Sequence, residues 1–117
     1  KAKDFTATNF ATAEDKAQWA NKFTKFILGG FQRSFFRKEV YKDGALSHKV
    51  KRLIALAVGL QAGCPRCIVG QTKDAVAAGA TKAEVLEAVS VAIVMGGTAV
   101  SAESWRVVKV LEELGKW

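Results

Sequence analysis

Apolar residues recur along this chain at three- and four-residue spacings, and strict alternation is nearly absent. That period belongs to helices that bury one face. Thr12-Ala13-Glu14-Asp15 reads as an N-cap followed by acids in a first turn. The helix it opens puts Ala17, Ala20, Phe23 and Ile27 on one face and stops at Gly29-Gly30. Residues 31–41 predict a second, short helix with Phe31, Phe35 and Phe36 inward, and Asp43-Gly44 predicts a turn. Ser47 can cap a third helix running to about residue 62. Its Val50, Leu53, Ile54, Ala57, Val58, Leu60 and Gln61 leave little of the circumference polar, which predicts burial among neighbouring helices. Gly63 stops it, and Pro65 suits the first turn of a fourth helix that ends near Gly79.

Thr81 and Glu84 form a capping box for a fifth helix, reaching about residue 95. Val85, Leu86, Val89, Ala92 and Ile93 point inward on that helix, and Met95 is expected in the core. Gly96-Gly97 marks a break or a close helix contact. A sixth helix follows to about residue 114, carrying Trp105, Val108 and Leu111, with Trp105 in the core or at an interface. The expected fold is all-α: about six helices around a central antiparallel hairpin, drawn from the fourth and fifth helices, in one domain spanning residues 1–117.

Composition narrows the function classes. The chain has 117 residues, half of them apolar and a quarter charged, which suits one ordinary domain. No apolar run approaches the roughly 20 residues of a membrane span, and residues 1–10 contain no run of signal-peptide length. Membrane partners are therefore not expected, and a cytoplasmic location is. Charge is uneven: the first 52 residues hold 12 Lys/Arg against 5 Asp/Glu, and the rest hold 6 of each. A basic half can meet nucleic acid, but no zinc-finger spacing or RNA-binding aromatic signature accompanies it. All seven Phe fall within residues 1–36, so this half reads as an aromatic packing arm or subunit interface. Nucleic acid is not an expected partner.

The two cysteines form one motif, Cys64-Pro65-Arg66-Cys67, after Gly63 and at a helix start. One pair is too few for a disulfide framework. With His48 as the only His, the chain offers no four-ligand zinc set, and no metal or cofactor is expected. Two intervening residues bring the sulfurs within disulfide reach. A helix N-terminus favours a thiolate, and Arg66 adds a cation. The motif thus points to redox chemistry; the alternative is a pair of inert buried thiols.

Residues 46–100 resemble the alkylhydroperoxidase AhpD-like core of the carboxymuconolactone decarboxylase family. The matching stretches are Ala45-Leu46-Ser47, Lys51-Arg52-Leu53-Ile54-Ala55-Leu56-Ala57, Gly63-Cys64-Pro65-Arg66-Cys67-Ile68, Ala78-Gly79-Ala80-Thr81 with Glu84-Val85 and Glu87-Ala88, and Val94-Met95-Gly96-Gly97-Thr98-Ala99. The resemblance implies an all-helical homotrimer or homohexamer. It implies a dithiol–disulfide cycle that reduces peroxides or a disulfide partner with electrons from a thiol donor. Cys64 and Cys67 match the catalytic pair, with Cys67 in the attacking role and Cys64 resolving. The family's redox motif also has a Glu and a His as a proton relay. Those positions hold Arg52 and Gln71, and the residue between the cysteines is Arg66. Decarboxylase members of the family lack the Cys pair.

These replacements bring cations toward the thiols, where Arg52 and Arg66 can hold a thiolate or attract a small anionic substrate. Lys49 and Lys51 are more simply solvated or paired with a neighbouring chain. Asp74 is either a substitute relay or an arginine partner, Gln71 faces the pocket, and His48 is a surface or interface residue. The expected function is a thiol–disulfide oxidoreductase or a weak alkylhydroperoxidase. The alternatives are a non-catalytic binding protein for an acidic small molecule and a lactone decarboxylase-like enzyme.

Overall fold

The computed structural model describes residues 17–18 and 33–117. The chain divides into two compact units, Lys1–Val40 and Tyr41–Trp117. In the first, α1 spans Arg33–Val40. The helix expected from Thr12, and the inward placement of Phe31, Phe35 and Phe36, lie outside the described residues. The second unit holds α2 (His48–Ala62), α3 (Pro65–Ala77), α4 (Lys82–Gly96), α5 (Thr98–Glu103) and α6 (Trp105–Glu113). The described residues are all-helical, with no strand.

Local chemistry sets the helix ends. The Ser47 hydroxyl accepts from the Val50 N–H at 3.2 Å and caps α2. At its far end Gly63 adopts φ +64°, a left-handed conformation that an L side chain resists. Gly63 N–H bonds Leu60 O and Cys64 N–H bonds Gly59 O, the two bonds of a Schellman stop. Gly79, at φ +93°, closes α3 in the same way, with Gly79 N–H on Val76 O and Ala80 N–H on Ala75 O. The capping box of α4 is complete: Thr81 N–H donates to Glu84 Oε1 at 3.0 Å and Glu84 N–H to Thr81 Oγ1 at 3.2 Å.

α2 is the central helix, packing on α3, α4 and α5, and α3 also packs on α6. Leu56, Leu60, Ile68, Ala75, Val85, Val89, Val100, Val107 and Leu111 form the core. Thr72 is the one buried polar side chain among the described residues, and its hydroxyl donates to Ile68 O at 2.7 Å.

Four expectations change. The antiparallel hairpin is α2 with α3, not the fourth with the fifth predicted helix, because the Gly63 turn folds α3 straight back along α2 while α4 also packs on α2. The sixth helix is interrupted at Ser104, whose hydroxyl donates to Ser101 O at 2.7 Å. That turn carries i to i+3 backbone bonds, Ser104 N–H to Ser101 O and Val107 N–H to Ser104 O. α2 is not buried all round: Ile54 is 47% and Val58 62% exposed. The other described helices cover only part of its apolar circumference. Met95, expected in the core, is 79% exposed, because the buried stripe of α4 runs through Val85, Val89 and Ala92.

The Gly96 reading as a close contact holds. A Cβ there would overlap Val100 Cγ2 and Gln61 Oε1.

Candidate functional site

The turn between α2 and α3 carries the cysteines. Cys64 is both the residue after the Gly63 stop and the N-cap of α3, and Pro65 occupies the first turn. Cys64 and Cys67 are joined in a disulfide, with Cα atoms 5.2 Å apart. The Cys67 backbone N–H points at Cys64 Sγ, 3.3 Å away. A Cβ on Gly59 would lie 3.1 Å from Cys67 Cβ, so the absence of a side chain at 59 lets the helices close beside the disulfide. Arg66 is exposed.

On the hairpin, Arg52 of α2 reaches α3. Its Nη1 donates to Gln71 Oε1 at 3.2 Å and lies 3.1 Å from Asp74 Oδ2. Its guanidinium carbon stands 3.6 Å from the centre of the Tyr41 ring, a stacked cation–π contact. The Arg52 side chain is only 18% exposed, and its buried Nε has no hydrogen-bond partner among the described residues. Gln71 lies four residues after Cys67, on the same face of α3. The structure therefore brings Arg52, Gln71 and Asp74 together, with Asp74 as the arginine's partner.

His48 holds the loop that supplies Tyr41. Its N–H donates to Asp43 Oδ1 at 2.6 Å, and its Nδ1 lies 2.7 Å from Tyr41 O. A carbonyl only accepts, so Nδ1 carries the proton. The two rings meet edge-on at 6.2 Å. Lys49 and Lys51 point elsewhere: Lys49 pairs with Glu84 at 2.9 Å, and Lys51 donates to Lys42 O. Both are satisfied within their own chain. The Lys49 contact and the capping bonds hold the Glu84 carboxyl below its ordinary pKa. Tyr41 was missed in the sequence, because nothing in the spacing links it to Arg52 across an intervening loop. Among the described residues no group of His, Cys, Asp or Glu is placed to hold a metal.

The site is thus a helical hairpin with a Cys-x-x-Cys disulfide at its turn. Residues 31–110 match the carboxymuconolactone decarboxylase family, and the chain belongs to it. A Paracoccus denitrificans protein known as uncharacterized protein 4 in the cox locus is 42% identical over 77 residues, covering 66% of this chain and 69% of its own. The crystal structure of an apo carboxymuconolactone decarboxylase family protein from Legionella pneumophila superposes with a TM-score of 0.68. It is 33% identical and covers 88% of this chain and 93% of that one. A family member from Thermotoga maritima, for which a part in an antioxidative response has been suggested, gives a TM-score of 0.65 at 28% identity, over 89% and 93% of the two chains. No helix of the described residues is long and apolar enough to cross a membrane.

Proposed function

We propose that the chain is a thiol–disulfide oxidoreductase. Its Cys64–Cys67 pair would accept electrons from a thiol donor and pass them to a disulfide or, more slowly, a hydroperoxide. The observation that carries this reading is the pair itself, set at a helix N-terminus with a backbone N–H on one sulfur. A donor N–H and a helix end stabilise a thiolate, the reactive form of cysteine. The antioxidative role suggested for the Thermotoga maritima protein supports the same direction. A cytoplasmic setting suits the cycle, since reductants there return disulfides to thiols.

Slowness toward hydroperoxide follows from Gln71 and Arg52, neither of which can take a thiol proton and return it to a leaving oxygen. A homotrimer or homohexamer is part of the proposal, supported by the exposed apolar residues Ile54, Val58, Val91, Val94 and Met95 on α2 and α4. A second reading, a binding site for a small acidic molecule, rests on the unpartnered buried Nε of Arg52.

The test is a redox titration with dithiothreitol, reading free thiols by mass after alkylation. Reversible gain and loss of two thiols within one chain is expected. A pair that resists dithiothreitol in the folded protein refutes the oxidoreductase and leaves the binding reading.

A further inference from the structure

We propose that the two sulfurs have fixed and unequal roles: Cys64 is the standing thiolate of the reduced pair, and Cys67 is the sulfur that a reducing dithiol attacks. This rests on the redox reading above and assigns the order of events within it. It reverses the attacking and resolving roles that the family resemblance implies for Cys67 and Cys64, because position 71 holds Gln in place of the base that would serve Cys67. Cys64 is the N-cap of the 13-residue α3, and its Sγ faces the Cys67 N–H at 3.3 Å. Once the disulfide opens, that contact becomes a charge-assisted hydrogen bond to a thiolate, reinforced by the positive end of the helix. No acidic residue stands in the first turn of α3 to oppose it, and Arg66 is the charged residue there.

Cys67 has no comparable support. It would need a base at position 71, and Gln71 offers none, its carbonyl oxygen being occupied by Arg52 Nη1. Among the described residues, the charges of neighbouring elements do not reverse this. Those of α2 lie in its first two turns, at the end of the helix away from Cys64. On α6, Arg106 is tied to Glu103, and Lys109, Glu112 and Glu113 are exposed. Exposure points the same way: Cys67 is exposed and Cys64 half-buried. Disulfide exchange favours attack at the accessible sulfur with the lower-pKa thiol leaving.

In the reductive half, a dithiol's thiolate forms a bond to Cys67 Sγ as the Cys64–Cys67 bond breaks, and the electron pair leaves on Cys64 Sγ. The dithiol's second thiol loses its proton to solvent and attacks its own partner sulfur. This yields the oxidised donor and releases Cys67, which takes a proton from water. In the oxidative half, the Cys64 thiolate attacks one sulfur of an acceptor disulfide and expels a thiolate. Cys67, deprotonated by solvent, attacks Cys64 Sγ, expels the second acceptor thiolate and restores the pair. The acceptor class follows from the missing acid. A leaving thiolate, with a conjugate-acid pKa of about 8.5, departs without a proton. The alkoxide that an organic hydroperoxide must release is a far stronger base and leaves only with help from an acid. Disulfides are therefore the better acceptors.

Two measurements test the assignment. The single-thiol variants Cys67→Ser and Cys64→Ser are alkylated with iodoacetamide from pH 4 to 9. Serine is itself a good N-cap, so Cys64→Ser keeps the start of α3. Cys64 should react with a midpoint below that of free cysteine and at least about tenfold faster than Cys67 at pH 6. Separately, the oxidised wild type is mixed with reduced glutathione, quenched in acid and digested with trypsin, which separates the two cysteines at Arg66. Glutathione should be found on Cys67. Equal midpoints, or glutathione on Cys64, would overturn the assignment while leaving the redox reading intact. A wild-type disulfide that no dithiol reduces would remove the redox reading itself.

Discussion

Replacing Gln71 by His and Arg52 by Glu should convert a slow hydroperoxide reductase into a faster one, and only in combination. General acid–base assistance is worth about 10² to 10⁴ in rate, or roughly 3–5 kcal/mol of barrier. The single change Gln71→His captures little of this. It sets the imidazole against the Arg52 guanidinium that now touches Gln71 at 3.2 Å, and that cation disfavours the imidazolium needed as an acid. Arg52→Glu alone should cost stability instead. It exchanges an ion pair at 3.1 Å for two carboxylates and discards the stacking on Tyr41. At an effective dielectric of 20 the repulsion is bounded by about 4 kcal/mol. Asp74 is half exposed, so screening leaves about 1 kcal/mol. In the double variant the new imidazole sits between the two carboxylates, gains a partner and can cycle its proton. Turnover of an organic hydroperoxide with dithiothreitol as donor should rise by about 10² over wild type, with neither single variant reaching a tenth of that. Rapid wild-type turnover, or a double variant no faster than wild type, would refute the reasoning. The proton would then be handled elsewhere, and Asp74→Asn would test the nearest candidate.

Three further outcomes follow from particular contacts. Gly96→Ala gains about 1 kcal/mol of helix propensity but drives a Cβ into buried Val100, so a net loss of about 1–2 kcal/mol is expected in urea unfolding. Gly70→Ala, whose Cβ meets nothing within 4 Å, should stabilise by about 0.5–1 kcal/mol; equal effects of the two would contradict the packing described. Glu84 has a depressed folded-state pKa, so its stabilisation is present above the unfolded value of about 4.3 and is lost as pH falls through the lower folded value. The Tm gap between wild type and Glu84→Gln should accordingly be open at pH 7 and close in that acid window, and a gap unchanged down to pH 2 would count against it. Sedimentation should give a trimer or hexamer that Val94→Glu, at an 84% exposed position, dissociates without unfolding; a wild-type monomer at micromolar concentration would remove the oligomer from the proposal.

The helix starts were legible because they are written in short-range chemistry. Ser47, Pro65 and the Thr81–Glu84 box each act within one turn: Ser47 and the box cap their helices, and Pro65 takes the first turn of α3 behind the Cys64 cap. Gly63 and Gly79 were legible as stops for the same reason. Which helices pair was not, because the pattern that marks a face as apolar does not say what covers it. Val58 and Met95 read as core and lie exposed, since an apolar position can serve another chain as well as its own. In the site, the cysteine turn was fully visible, and so was the approach of Arg52 to position 71, through a family resemblance. Tyr41 was invisible because its contact with Arg52 depends on how His48 pins the connecting loop.

Because Cys64 ends one helix stop and begins the next helix cap, the disulfide crosses a segment that the backbone already holds closed. Its sequence separation is three residues. A cross-link over so short a loop removes chain entropy worth about 2 kcal/mol from the unfolded state, against about 4.7 kcal/mol for a loop of 100 residues. The bond is chemically addressable and mechanically modest. Electrons can enter and leave without the fold being asked to loosen, and a melting curve will register the oxidation state only as a shift of several degrees, not as a loss of the fold.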